Sequence, residues 1–117
     1  AVIACLSETE RLDTKVNAQV RGTQLYNGVM ELAKKHTIVG DVRGGHGLML
    51  GIELVSDQSK KTPLDMSDMK KIHQKTYEFG AMVRLGLNNI LMSPPLTISE
   101  NEVNQILGAL DEGLTAI

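Results

Sequence analysis

The apolar and polar positions of the chain recur with two different periods, and the changes of period divide the sequence into helices and strands. Residues 1 to 35 carry the helical period and are predicted to form two helices, with Asp13 as the N-cap of the second. Gly22 and Gly28 lower the helix propensity of this segment. The apolar stripe of the second helix comprises Leu25, Val29, Leu32 and Ala33.

Two segments with the alternation of β-strands follow. Residues 38 to 43 are predicted to form a short strand and residues 48 to 55 a longer one. One face of the longer strand is entirely aliphatic and should join the core, whereas Gly51 on the opposite face should let another backbone approach closely. Residues 56 to 66 are polar, contain Pro63 and predict a connecting loop. The aliphatic face comprises Leu48, Leu50, Ile52 and Leu54, and the mixed face comprises Met49, Gly51, Glu53 and Val55.

The pattern then returns to a helix and two further strands. Residues 67 to 79 are predicted to form a helix that ends at Gly80, since glycine tolerates the left-handed angles common after a helix. Residues 82 to 85 and 90 to 92 predict two short strands joined by a turn. Residues 94 and 95 are both proline and should end the second strand, because proline cannot donate a backbone hydrogen bond. The helical stripe comprises Met69, Ile72, Thr76 and Phe79.

The last helix has the most complete local signature in the chain. Ser99 and Glu102 form a capping box of the type S-x-x-E, and Ile98 and Val103 occupy the hydrophobic-staple positions on either side. One face of this helix is apolar, so the helix must pack onto another element. That face comprises Val103, Ile106, Leu107, Leu110 and Leu114.

The order of elements is helix, two strands, helix, two strands, helix. A small, mainly antiparallel sheet with helices on one side satisfies this order, so the predicted fold class is α+β. A length of 117 residues and an apolar fraction of 42% fit one compact domain, residues 1 to 117. The segment from Ala1 to Leu6 has the composition of a buried element already under way and lacks an initiator Met or a cap, which predicts a fragment of a larger protein.

Composition and charge exclude several classes of partner. A net charge of −2 and the absence of Trp provide neither a positive field nor an aromatic platform, so we expect no binding to nucleic acid or to anionic lipid. No apolar run reaches the roughly 18 residues of a membrane span, so we expect a soluble protein. The single cysteine, Cys5, cannot form an internal disulfide and predicts a reducing, cytoplasmic compartment.

Most residues that could act in catalysis or ligand binding are better explained by a structural role. His36, His46 and His73 have no metal-ligand spacing with one another or with Cys5. The Gly-Gly-His-Gly run at residues 44 to 47 resembles a phosphate loop only superficially, because a strand and not a helix follows it; a tight bend between two strands is favoured. No cysteine or serine has the surroundings of an activated nucleophile.

Arg84 is the one residue that retains a functional interpretation. It lies in a short apolar strand, where a guanidinium needs a partner such as a carboxylate. From the residues alone, an ion pair within the protein is favoured over ligand binding. Glu53 has the same two interpretations with less weight on function, and Arg43 is expected to organise the bend that follows it.

Three groups of residues occur in the order typical of one enzyme family. Residues 40 to 44 are Gly-Asp-Val-Arg-Gly, residues 47 to 55 form a Gly-Leu-Met strand that ends in Ile-Glu-Leu-Val, and residues 93 to 97 are Ser-Pro-Pro-Leu-Thr before the capped helix. Asp57, Lys61 and Pro63 match the loop between the first two groups and the third. Together these segments resemble the C-terminal small domain of omega-transaminase-like class III aminotransferases, which are pyridoxal phosphate enzymes of fold type I.

The resemblance implies an enzyme that transfers an amino group from an amine or amino acid to a keto acid through pyridoxal 5'-phosphate. It implies that Arg84 matches the arginine that binds the substrate carboxylate and can swing away for an uncharged amine. It also implies a homodimer and a large domain in the same chain. The Schiff-base lysine, the acid beside the pyridine nitrogen and the phosphate loop belong to that large domain, so we expect this fragment alone neither to bind the cofactor nor to transaminate.

Two alternatives remain open from the sequence. The chain could be a free-standing α+β binding or interaction module with no enzymatic parent. It could also be the same domain of a related pyridoxal phosphate decarboxylase or aminomutase, because the closing segment does not separate these enzymes from aminotransferases.

Overall fold

A computed structural model describes all residues from Ala1 to Ile117. Its helices and strands follow the predicted order, with one additional short strand. The elements are α1 (Val2–Arg11), α2 (Thr14–Lys35), β1 (Val39–Arg43), β2 (Leu50–Asp57), β3 (Thr62–Pro63), α3 (Met66–Glu78), β4 (Arg84–Gly86), β5 (Asn89–Met92) and α4 (Glu100–Leu114). No helix combines the length and apolar character that crossing a bilayer requires.

The strands form one antiparallel sheet in the order β1-β2-β5-β4, and β3 pairs with the far end of β2. Residues paired across antiparallel strands point to the same side of the sheet, so the register defines two rows of side chains. One row is apolar and runs Val42, Ile52, Ile90, Leu85. The neighbouring row, on the opposite face, runs Arg43, Gly51, Leu91, Arg84.

The helices cover only the face that carries the apolar row. Ile52 and Ile90 are fully buried at the centre of the sheet, and the core continues into the apolar stripes of three helices. Leu91, in contrast, is 41% exposed on the other face. The predicted α+β fold, a small antiparallel sheet with helices on one side, is therefore confirmed, and one face of the sheet is open.

Two helix boundaries show how well local signals work. The capping box of α4 is complete: the Ser99 hydroxyl accepts from the Glu102 backbone N–H at 3.2 Å, and the Glu102 carboxylate accepts from the Ser99 N–H at 3.0 Å. Asp13 occupies the N-cap position of α2, as predicted, but its side chain accepts no capping hydrogen bond. Its backbone is left-handed, with φ at 50°, because it forms the joint between α1 and α2.

The structure differs from two expectations about β2 and the segment after it. No second backbone lies against Gly51 within these 117 residues; a Cβ there would only contact a Leu91 methyl at 3.6 Å. Val55, on the mixed face of β2, is also buried, since the glycine at position 40 leaves room for its side chain. The polar segment from 56 to 66 is not all loop, because β3 returns along β2 and includes Pro63.

Two apolar segments lie on the surface instead of in the core. Phe79 ends α3 with 55% of its area exposed, although the rest of its stripe is buried. Helix α1 contains no buried residue, and Ile3 is 81% exposed. The burial expected for Ala1 to Leu6 does not occur within these 117 residues, because only α2 lies beside α1.

Candidate functional site

Arg84 begins the edge strand β4 and lies on the open face of the sheet. Its side chain is exposed, and it takes part in none of the ion pairs of the structure. The internal ion pair that the residues alone favoured is therefore not formed. An arginine without a partner, beside apolar residues, is available to an anion from outside the domain.

Arg43 lies in the same row, three strand positions away, which corresponds to roughly 14 Å between the two backbones. Unlike Arg84 it has two acidic partners. Its Nε donates to Asp41 at 3.0 Å, and a terminal nitrogen lies 3.9 Å from Glu53. The Arg43 hydrogen bond, above all, holds the pKa of Asp41 below its ordinary value. Arg43 thus joins two carboxylates across β1 and β2, and the expectation that it organises the following bend was wrong.

A shallow groove of about 410 Å³ connects the two arginines. Gly51 and Leu91 lie between them in the row, and the absence of a side chain at Gly51 keeps the middle of the groove low. Met49, 74% exposed, lines the groove as well. The groove therefore has an apolar floor, with Arg43 paired to carboxylates at one end and Arg84 without an acidic partner at the other.

A larger cavity of about 640 Å³ lies on the other side of Arg84, between the β4 edge and helices α3 and α4. Its polar members are His73, Ser93, Glu102 and Gln105, in addition to Arg84. Hydrogen bonds from Ser99, first from its hydroxyl, hold the pKa of Glu102 below its ordinary value. The remaining lining is mostly apolar and comprises Gly80, Ala81, Met82, Val83, Leu91, Met92, Pro94, Pro95, Ile98 and Ile106.

The lysines do not provide a Schiff-base position in this region. Neither the groove nor the cavity beside Arg84 has a lysine in its wall. Three lysines form hydrogen bonds elsewhere in the structure. Lys35 donates to Asp111, Lys61 donates to a backbone carbonyl, and Lys71 donates to Asp68. The residues present therefore do not fit the covalent anchor of pyridoxal phosphate. No group of His, Cys, Asp and Glu could hold a metal ion either.

The glycine corner between β1 and β2 is a bend, as predicted, and α2 supports it from below. Gly44, Gly45 and Gly47 have φ values of 145°, 97° and 78°, which side chains rarely permit. The ring of Tyr26 lies under Gly45, and α2 brings Gly22 against the carbonyl of Gly47. The element that follows this corner is strand β2 and not a helix, so the corner does not lead into a helix N-terminus as a phosphate loop does.

One residue of the site was missed from the sequence. The Nε2 atom of His73 on α3 lies 3.0 Å from the carbonyl oxygen of Val83, the residue before Arg84. From the sequence, His73 was considered only as a metal ligand and rejected for lack of ligand spacing, and nothing in its local pattern indicates this contact. The interaction depends on how α3 packs beside β4, which only the tertiary structure specifies.

Comparison with known proteins places these features in one family. The family model described as "Aminotransferase class-III" matches residues 1–114. Among curated relatives, alanine–glyoxylate aminotransferase 2 homolog 2 of Arabidopsis thaliana is 34% identical over 98% of this chain. Leucine/methionine racemase of Thermococcus litoralis is 30% identical over 100% of this chain. The chain spans 24% of the first relative and 26% of the second.

Solved structures agree with this match. The PLP-bound amine transaminase from an uncultivated Pseudomonas species superposes with a TM-score of 0.91 at 34% identity. An aminotransferase of Bacillus anthracis superposes with a TM-score of 0.90 at 29% identity. The alignments cover 97% and 98% of this chain but only 26% and 27% of those chains. The 117 residues thus correspond to about a quarter of each protein.

Proposed function

Because the chain belongs to the class-III aminotransferases, we propose that it is the C-terminal small domain of an enzyme that transfers an amino group from an amine or amino acid to a keto acid. The match along nearly the whole chain carries this proposal. The short span relative to the full length of the relatives supports the expectation of a fragment. Arg84 is the residue of this domain that meets the substrate.

The surroundings of Arg84 support its role in binding a carboxylate. A guanidinium can bind a carboxylate through two parallel hydrogen bonds, and Arg84 has no acidic partner that would compete. Arg43, in the same row, already forms ion pairs with Asp41 and Glu53. The apolar lining on both sides of Arg84 lowers the local polarity and strengthens a charged contact. An amine without a carboxylate can be accommodated when the flexible side chain moves toward solvent.

The cofactor and the other partners belong to the rest of the enzyme. The family implies pyridoxal 5'-phosphate, and the absence of a lysine from the walls around Arg84 supports a cofactor anchor in the large domain. Family resemblance supports a homodimer. The exposed, unpaired Cys5 supports a reducing compartment such as the cytoplasm.

Arg84→Ala in the complete enzyme tests the proposed role. The substitution should raise KM for keto acids far more than KM for uncharged amines, because only the keto acid loses a charged hydrogen bond. The expected loss is about 1.5–3 kcal/mol in the half-reaction with the keto acid. Steady-state kinetics with each substrate varied separately measures the two KM values.

Arg43→Ala is the matched control, since it removes the same side chain from the same row of the sheet. Its KM ratio between keto acid and amine should stay close to that of the unchanged enzyme. Equal effects of Arg84→Ala on both substrates would contradict a carboxylate-binding role.

Amino-acid racemisation is a second candidate function, favoured by the similarity to leucine/methionine racemase along the whole chain. A racemase inverts an amino acid without a keto-acid acceptor. Incubating the complete enzyme with one enantiomer, with and without a keto acid, separates the two reactions. Loss of optical purity without an acceptor would favour the racemase, and amino transfer only when the acceptor is present would favour the aminotransferase.

A further inference from the structure

We propose that His73 is a positioning residue for Arg84, a role that rests on the proposed function of Arg84 in binding a carboxylate. His73 does not reach the substrate in this proposal. It holds the peptide group from which the Arg84 side chain extends. The contact is a hydrogen bond from the His73 side chain on α3 to the backbone carbonyl of Val83, just before β4.

The hydrogen bond acts on the peptide group of Arg84 itself. The Val83 carbonyl, which accepts from His73 Nε2 at 3.0 Å, belongs to the same planar peptide unit as the Arg84 N–H. Rotation of this plane would move the Arg84 Cα and change the direction of the side chain. His73 is partly buried, and it lines the same cavity as Arg84. The bond is therefore partly shielded from bulk water.

The Val83 side chain is buried in the core, but few hydrogen bonds restrain the backbone at this point. Residues 81 to 83, which lead into β4, are not part of the sheet. The Ala81 N–H donates to the Thr76 carbonyl at 3.1 Å, which fixes the segment at the end of α3. Strand β4 has only three residues and pairs with a neighbour on one side alone, so Arg84 is its first and least supported position. His73 supplies a second restraint where the ladder begins.

The chemistry of the contact determines the protonation of the ring. A carbonyl oxygen only accepts, so His73 Nε2 must carry a hydrogen. Both the neutral Nε2–H tautomer and the charged imidazolium satisfy this requirement. A glutamine side chain can place its amide N–H₂ group at a similar distance from the backbone. His73→Gln should therefore retain the hydrogen bond, whereas His73→Ala should remove it.

Kinetics of the complete enzyme test the proposal. His73→Ala should raise KM for the keto acid by about tenfold, below the hundredfold loss that a 1 Å misplacement can cause. The KM for an uncharged amine, and kcat in its half-reaction, should remain unchanged. His73→Gln should restore most of the keto-acid KM. Gln74→Ala is the control, because Gln74 is next to His73 in the sequence and its side chain hydrogen-bonds only to Glu78.

A double substitution separates positioning from general loss of structure. If His73 acts through Arg84, His73→Ala should add no further increase in keto-acid KM to Arg84→Ala. An additional increase in that background would overturn the proposal. An unchanged keto-acid KM in His73→Ala would also overturn the proposal if Arg84→Ala has its expected effect. The proposed function of Arg84 would stand in that case. Equal effects of Arg84→Ala on both substrates would instead contradict the proposed function itself.

Imidazole ¹⁵N chemical shifts keep the proposal testable if His73→Ala does not fold. The unchanged complete enzyme should show His73 protonated at Nε2 across the pH range in which it is folded. Protonation at Nδ1 alone would overturn the proposal, because that tautomer cannot donate to Val83.

Discussion

Gly22 lies where helix α2 crosses the corner between β1 and β2. A Cβ atom at this position would be 2.0 Å from the carbonyl oxygen of Gly47 and 2.4 Å from its carbon. Both atoms belong to the backbone of a corner whose glycines already have positive φ angles. The helix and the corner can therefore approach this closely only without a side chain. The close packing of α2 against the corner offsets the low helix propensity of glycine at position 22.

Gly22→Ala should destabilise the protein although alanine is the better helix former. Overpacking costs about 1–3 kcal/mol, and it exceeds the gain in helix propensity of up to about 1 kcal/mol because neither backbone can yield easily. Urea denaturation measures the difference in the free energy of unfolding.

Gly108→Ala is the control for that experiment, since a Cβ atom at Gly108 in α4 would have open space around it, with no neighbouring atom within 4 Å. It should stabilise the protein by about 0.5–1 kcal/mol. A stabilising Gly22→Ala would show that the corner can move away from α2.

The two arginines on the open face show that residue type alone does not determine a role. Arg43 and Arg84 lie in one row, yet Arg43 has two acidic partners and Arg84 has none. The partners of Arg43 come from its own strand and from the next one. From the sequence, an internal ion pair was expected for Arg84, and Arg43 was expected to organise the bend that follows it. Asp41 lies two residues before Arg43 on β1, whereas the register of β1 with β2 brings Glu53 close to Arg43.

At the scale of elements, α4 begins where its sequence indicates. Ser99 and Glu102 satisfy each other's backbone N–H groups, and the staple residues Ile98 and Val103 are both buried. The cap matters beyond the helix, because Glu102 also lines the cavity beside Arg84. Losing the cap should therefore loosen one wall of that cavity as well as the helix end.

Ser99→Ala should lower the free energy of unfolding by about 1 kcal/mol, the usual contribution of an N-cap side chain. The hydroxyl that accepts from the Glu102 N–H is removed, while the helix is otherwise unchanged. Ser99→Asp provides the comparison, because aspartate caps as well as serine. Thermal or urea unfolding distinguishes them; the same loss in both variants would mean that the hydroxyl does not act as a cap.

The β4–β5 turn shows where prediction from residue type fails. The segment from 86 to 89 was predicted as a turn because glycine and asparagine tolerate left-handed angles, and the turn is present. Yet Leu87 takes the left-handed conformation, with φ at 56°. Asn88 instead exchanges hydrogen bonds with Leu54 on β2, at 2.8 Å and 2.9 Å. The contact with a distant strand overrides the local preference.

At the scale of the whole molecule, one cluster joins the ends of two helices. Asp111 on α4 accepts from Lys35 at 2.6 Å and contacts His36 Nε2 at 2.7 Å, both at the C-terminal end of α2. Hydrogen bonds from Lys35 and then from His36 hold the pKa of Asp111 below its ordinary value. A carboxyl whose pKa is lower in the folded protein than in the unfolded chain stabilises the fold only while it is ionised.

The Asp111 contribution should be present at neutral pH and should decline as the pH falls below about 4, the ordinary range of an aspartate in an unfolded chain. Asp111→Asn should therefore destabilise the protein at pH 7, and its difference from the unchanged protein should shrink toward pH 3. Urea denaturation across this pH range measures the effect.

Asp13→Asn is the matched control, since the Asp13 side chain makes no capping contact and asparagine tolerates its left-handed backbone. This variant should differ little from the unchanged protein at either pH. A constant effect of Asp111→Asn from pH 7 to pH 3 would show that the ionised carboxylate is not what joins α2 to α4.

The sequence by itself determined the element order, the α+β class, the capped last helix and the family. These features depend on short-range periodicity, on caps formed within a few residues and on motifs in a fixed order. It also singled out Arg84. Only the tertiary structure decided that Arg84 has no internal partner, that Arg43 has two, and that His73 reaches the peptide beside Arg84. Strand register brings Glu53 to Arg43 and helix packing brings His73 to Val83, and each pair joins two different elements, so no local pattern encodes these contacts.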